Sequence, residues 1–102
     1  MSAFSYKLTT ESENFAFSYA NILASTETIV SADLVVEVKD GSDSNPTAIV
    51  SGTPTINGAI VSQRILGGLD SVTYRLEMTA TTSLGNVYTL VGDLPVLAPI
   101  NS

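Results

Sequence analysis

A chain of 102 residues has material for one domain with a two-layer core and none for a second. Ten acidic residues against Lys7, Lys39, Arg64 and Arg75 give a net charge of −6 with the cations scattered, so a nucleic-acid backbone is not an expected partner. The absence of histidine and cysteine excludes Ser-His-Asp and Cys-His nucleophiles, His or Cys zinc sites, iron–sulfur clusters and disulfides, and with them most enzyme classes.

Val, Ile and Thr make up 29 residues against 14 charged ones, a bias toward side chains that suit a pleated surface. Phe4, Tyr6 and Leu8 alternate with Ser5 and Lys7, the pattern of a first strand. Thr9 to Asn14 breaks it. Phe15, Phe17 and Tyr19 then alternate with Ala16, Ser18 and Ala20; helical spacing also fits Phe15, Tyr19, Ile22 and Leu23, but the short window and strand-like neighbours favour a strand running into a turn. Glu27 to Val30 leads into a strand in which Leu34, Val36 and Val38 point one way and Val35, Glu37 and Lys39 the other. Asp40 to Pro46 is dense in turn formers and ends it. Thr47 to Val50 is expected to resume extended structure, Gly52-Thr53-Pro54 to interrupt it, and Ala59 to Leu66 to form another strand before Gly67-Gly68. In the last third, Val72, Tyr74, Leu76, Met78 and Ala80 alternate with Thr73, Arg75, Glu77 and Thr79. Ser83 to Asn86 supplies a turn, and Val87 to Val91 runs back. About seven strands at this rhythm predict a β-sandwich.

The start lacks a basic stretch followed by a long apolar run, and nowhere do ten apolar residues run together, so neither an export signal nor a membrane span is expected. Lack of cysteine is compatible with assembly in a reducing cytoplasm. A mean hydropathy of +0.30 with only 14% charged residues points to surface covered by other subunits. Abundant Ser and Thr are the alternative way of keeping a weakly charged surface wet.

Asp40 to Asn45 is rich in oxygen ligands, but its Gly41 comes second and no Glu closes the loop, so a solvated connection is expected rather than a calcium site. Glu11, Glu13 and Glu27 could be imagined as a glycosidase pair; without Trp or a groove they read as solvated carboxylates. Gly67-Gly68 lacks the following Lys-Ser/Thr of a phosphate loop and reads as a tight turn. No metal or other cofactor is therefore expected. Leu94 to Ile100 is apolar with Pro95 and Pro99, unusual at a chain end. It either closes its own sandwich or forms an extended arm from about residue 95, with Leu97, Pro99 and Ile100 as assembly contacts.

Phe17-Ser18-Tyr19-Ala20-Asn21-Ile22-Leu23-Ala24 followed by Glu27-Thr28-Ile29, and Leu66-Gly67-Gly68 followed by Tyr74, Met78 to Thr82 and Gly85, resemble the landmarks of phage fibre-tail adaptor proteins, small immunoglobulin-like virion proteins of tailed phages. The resemblance covers about residues 15 to 97. It departs from the family pattern in lacking a Trp early in the chain and in a longer spacer between Gly68 and Tyr74. It implies a structural virion protein at the neck, head–tail junction or fibre attachment site, made and assembled in the host cytoplasm, contacting other virion proteins and copies of itself. Capsid decoration, or an adhesive or carbohydrate-binding module, are the alternatives. The expectation is thus an all-β chain, one immunoglobulin-like sandwich over residues 1–102, with a core including Phe17, Tyr19, Leu34, Val36, Val38, Val72, Tyr74, Leu76, Met78 and Leu90.

Overall fold

The structure, a computed structural model, describes residues 2–4 and 6–99. Among these the chain forms strands β1 (Ser2–Ala3), β2 (Lys7–Leu8), β3 (Ser12–Ser18), β4 (Ile29–Asp40), β5 (Val50–Asn57), β6 (Ile60–Leu66), β7 (Val72–Thr82) and β8 (Val87–Leu97), with one 3-10 turn at Pro46–Ile49. One sheet runs β4, β7, β8 and then β1 and β2; the other runs β3, β6, β5. β1 and β2 both lie parallel to β8, so they are two pieces of one interrupted edge strand and the strand positions number seven. With β3, β5 and β6 facing β4, β7 and β8, and the first strand beside the last, the fold is an immunoglobulin-like sandwich.

β7 explains why the core forms where it does. Val72, Tyr74, Leu76, Met78, Ala80 and Thr82 are buried and the residues between them are half-buried, because β4 and β8 flank the strand and the second sheet covers its inner face. In register beside it lie Leu34 and Leu90 at Met78, Val36 at Leu76, and Val38 and Leu94 at Tyr74. Phe15, Phe17, Val61 and Ile65 close the core from the other sheet. Seven of the ten expected core residues are fully buried, while Leu34, Val38 and Leu90 pack partly buried against them. Burying each large apolar side chain is worth about 1.5–3 kcal/mol.

The first strand departs from its expected phase. Between the β1 and β2 rungs the edge strand takes four steps, Ala3 to Lys7, against three on β8, Asp93 to Val96. One extra residue reverses which side chains face inward. Tyr6 is therefore exposed and Lys7 buried, its Nζ donating to the carbonyls of Gly67 (2.6 Å) and Leu8 (2.8 Å). Burial lowers the Lys7 pKa, with Glu11 and Glu13 acting the other way. Pro46 to Ile49 is helical rather than extended, Pro46 occupying the first turn, where a missing N–H costs nothing. β5 passes through Gly52-Thr53-Pro54 instead of stopping there. Its register slips between Ser51 and Thr55, and the buried Gln63 donates to the Ser51 and Gly52 carbonyls that the slip leaves facing it.

Candidate functional site

The sandwich is a short rod, 51 × 25 × 24 Å. At one end meet the β3–β4 connection (residues 19–28), the β5–β6 turn (58–59) and the β7–β8 turn (83–86). Tyr19 N–H donates to Ala59 O (2.8 Å) and Ser83 N–H to Thr28 O (2.8 Å). Glu27 ties these loops together from within: one carboxylate oxygen accepts from Thr82 Oγ1 (2.5 Å) and Asn86 Nδ2 (2.9 Å), the other from Ala24 N–H (3.0 Å). Only 6% exposed, Glu27 is a buried tie, which corrects its reading as a solvated carboxylate. The bond from Thr82, then those from Ala24 and Asn86, hold its carboxyl below the usual carboxylate range. Tyr19 anchors the same region by donating its buried hydroxyl to Met78 O (2.6 Å). On this frame Ile22, Val30, Ile60, Leu84 and Val87 stand exposed, Leu84 and Val87 at 59% and 61%.

The opposite end is held by Tyr74. Its hydroxyl donates to Asp43 Oδ2 (2.6 Å) and accepts Leu69 N–H (3.0 Å), a tyrosine corner between β6 and β7. Asp43 Oδ1 accepts Asn45 N–H (2.9 Å), so both carboxylate oxygens of Asp43, one of the two acids in the Asp40–Asn45 loop, have protein partners. Among the described residues no group of three or more metal-ligating side chains converges. Gly67-Gly68 turns the chain beneath β8: Gly68, at φ +97°, lies so close that a Cβ there would be 3.1 Å from the Val96 methyl groups. Glu11, weighed in the sequence with Glu13 and Glu27, accepts Leu8 N–H (2.9 Å), and Glu13 is exposed on β3.

Of the expected assembly contacts, Leu97 ends β8. Its carbonyl accepts Thr9 N–H (2.9 Å) and its side chain is 42% exposed. Pro95 and Val96 are likewise part of β8, and Val96 is buried. Ala98 N–H donates to Asp70 Oδ1 (2.8 Å), Pro99 is exposed, and Ile100 lies outside the described residues. Tyr6, Leu66 and Leu69 are exposed toward the same end.

Along one flank the two sheets part between β3 and β8. The Phe4 ring enters this gap edge-on to Phe15 (centroids 5.1 Å apart) and Phe17 (5.4 Å), over Gly92. A groove of about 500 Å³ opens beside it, floored by Phe4, Phe17 and Leu90 with Ser18 and Thr89 at its rim. The outer face of this sheet is crossed by Asp93, paired with Lys39 of β4 (2.5 Å) and Arg75 of β7 (3.3 Å), which hold its carboxyl below the usual range, Lys39 most strongly.

Sequence reasoning missed Glu27, Lys7, Asp93 and the Phe4–Gly92 contact. A lone Gly inside a strand was the one available signal, since it marks close approach of another group. The whole arrangement offers contact surfaces: preorganised loops with apolar tips, a second apolar end, and an open flank. No curated protein matches the chain. A family model does match, over residues 7–93, starting upstream of the resemblance read in the sequence and stopping short of the tail, and by it the chain belongs to the podophage GP4 fiber-tail adaptor protein gp77 family.

Proposed function

We propose that this protein is a structural part of a phage virion that joins two other components, one at each end of its rod. Membership of a fiber-tail adaptor family supports the virion role and contacts with other virion proteins. The observation that carries the two-ended reading is the placement of the exposed apolar side chains. Ile22, Leu84 and Val87 stand at the loop end and Tyr6, Leu66, Leu69 and Leu97 toward the tail end, on a chain with only 14% charged residues. Loops carried on a rigid scaffold are common binding elements, and the Glu27 ties fix the loop end before any partner arrives. The protein acts by contact rather than catalysis, in several symmetric copies at the neck, head–tail junction or fibre attachment site, after assembly in the host cytoplasm. Its tail, from Ala98 onward with Pro99 and Ile100, helps hold it in place, with Leu97 at the edge of that surface.

The test is a phage carrying either Leu84→Glu or a deletion of Ala98 to Ser102, with the virion protein inventory measured by mass spectrometry. Both purified proteins should keep near-native circular dichroism. The loop variant should lose the component attached at that end, and the truncated protein should be incorporated less. Unchanged virions from both would sink the two-ended reading, and unfolding of the truncated protein would assign the tail to its own core.

A further inference from the structure

We propose that the N-terminal strap, from Ser2 to Leu8, is exchanged between copies of this chain: it leaves its own flank and takes the same seat on a neighbouring copy, with Phe4 lodged over the neighbour's Gly92. The proposal rests on the reading that several copies meet in the virion.

The seat is a built feature. Gly92 sits inside β8 without the left-handed backbone that accounts for the six other glycines, so its lack of a side chain needs another cause. Phe4 is that cause. A Cβ on Gly92 would come within 2.4 Å of Phe4 Cε2. The edges of Phe15 and Phe17 complete the seat.

Besides the Phe4 ring, the strap is held by the buried Lys7 ammonium on Gly67 O (2.6 Å) and by Phe4 N–H donating to Asp93 O (2.9 Å). Its strand pairing is short, two rungs at β1 and two at β2, where the β4–β7 and β7–β8 pairs each run along ten. Between its rungs the register slips by one residue, and the groove beside Phe4 leaves that ring in contact with open space on one side. Among the described residues every buried apolar residue of the core cluster lies between Phe15 and Val96, with Phe4 packed partly buried against it. A turn at Thr9-Thr10 connects the two parts and can straighten to let the strap cross to a neighbour.

The occupant is a second copy because the flank already matches this segment at two points. The seat over Gly92 accepts Phe4, and the Gly67 carbonyl accepts the Lys7 ammonium. A neighbour's strap repeats both contacts, so exchange gives up only the bonds that close the turn, Glu11 N–H to Leu8 O (3.0 Å) and Leu8 N–H to Glu11 Oε1 (2.9 Å), and is driven by the local concentration that assembly supplies. An unrelated extended segment would have to supply both an aromatic ring and a cation.

The native chain has no cysteine, so engineered ones report cleanly. Leu8 and Leu97 are register partners between β2 and β8. Full-length L8C and L97C proteins are mixed at high concentration, diluted and mildly oxidised, with an L8C and L84C mixture as the collision background. Exchange predicts a disulfide between the L8C and L97C chains about tenfold above that background, rising with the concentration of the mixing step. Adding Phe4→Ala to the L8C chain should remove the excess. No excess at any concentration, with the L8C/L97C double variant closing inside single chains, would overturn the exchange. Mass spectrometry of purified virions separates the two ideas: a chain present in particles without exchange leaves the virion reading standing, and exchange in solution by a chain absent from particles leaves only the exchange.

Discussion

Gly92→Ala should change sign according to what stands at residue 4. With Phe4 in place the new methyl would lie 2.4 Å from Cε2 and 3.0 Å from Cδ2 and Cζ, so the ring must leave its seat. Truncating a fully buried Phe costs about 3–5 kcal/mol; Phe4 is only partly buried, so Phe4→Ala should cost about 2 kcal/mol. Expelling the ring cannot cost more than removing it, which sets the same ceiling of about 2 kcal/mol on Gly92→Ala. Once Phe4 is gone, the methyl meets nothing of the ring, and Ala restricts the unfolded chain. Gly92→Ala in a Phe4→Ala background should then stabilise by about 0.5–1 kcal/mol. Simple additivity would put the double variant at about 4 kcal/mol below the parent, whereas the contact places it about 1–1.5 kcal/mol below. Urea unfolding followed by circular dichroism measures all four proteins with comparable slopes, and in a domain of this size each kcal/mol moves Tm by about 4–8 °C. If the two costs add, the glycine is there for some other reason and the seat loses its meaning.

Leu76, fully buried on the inner face of β7, should cost about 2–5 kcal/mol as Leu76→Ala, while Thr73→Ala on the outer face should stay within about 0.5 kcal/mol; reversed costs in urea titrations would mean the strand register is wrong. Hydrogen bonds depress the Glu27, Asp43 and Asp93 carboxyls, led by those from Thr82, Tyr74 and Lys39 respectively. Their stabilisation is present above the ordinary carboxylate range and is lost as pH falls through the folded values, so Tm should drop below about pH 4, less steeply in Asp43→Asn. At the other extreme, burial pushes Tyr19 and Tyr74 up to about 12, the Asp43 bond adding to the effect at Tyr74. The stability they lend is full below about pH 10 and goes as pH rises through about 12, which alkaline unfolding of Tyr74→Phe should show as a flatter profile. Excess calcium or a chelator should leave Tm unchanged, and a rise of several degrees abolished by Asp43→Ala would reinstate the acidic loop as a metal site.

The strands were legible wherever one face is apolar and the other polar over several residues. β7 shows that alternation without interruption, and β4 shows it from Ala32 to Val38, between two slips in its pairing with β7. Legibility failed where the deciding partner is distant in sequence. Lys7 reads as an outward residue because nothing nearby reveals that Gly67, sixty residues on, offers its carbonyl to an inward ammonium. Glu27 likewise reads as solvated until Thr82 and Asn86 come back across the sandwich to meet it. Pro54 looked like the end of a strand. Gln63 on the neighbouring strand lets the chain continue past it with a local slip.

The site was less legible than the fold, and the reason lies in what each is made of. Folding is encoded by many residues repeating one simple pattern, so a few exceptions such as Tyr6 do not hide it. The proposed contact surfaces are made of the exceptions themselves: Leu84 and Val87 exposed at and beside a turn that would ordinarily be polar, and a glycine in mid-strand. Read singly, each has an ordinary explanation as a tolerated surface residue. Placed together, they share a geometry. Leu84 and Val87 share the end that Glu27 stiffens, Leu66, Leu69 and Leu97 share the end that Tyr74 stiffens, and Phe4 lies on the flank between them. On the proposed two-ended reading, stiffness at both ends matters, since a loop that must first be ordered gives up part of its binding free energy to that ordering. On that reading the buried ties and the exposed apolar tips are two halves of one device, and loosening Glu27 should weaken attachment at the loop end even though Glu27 itself is only 6% exposed.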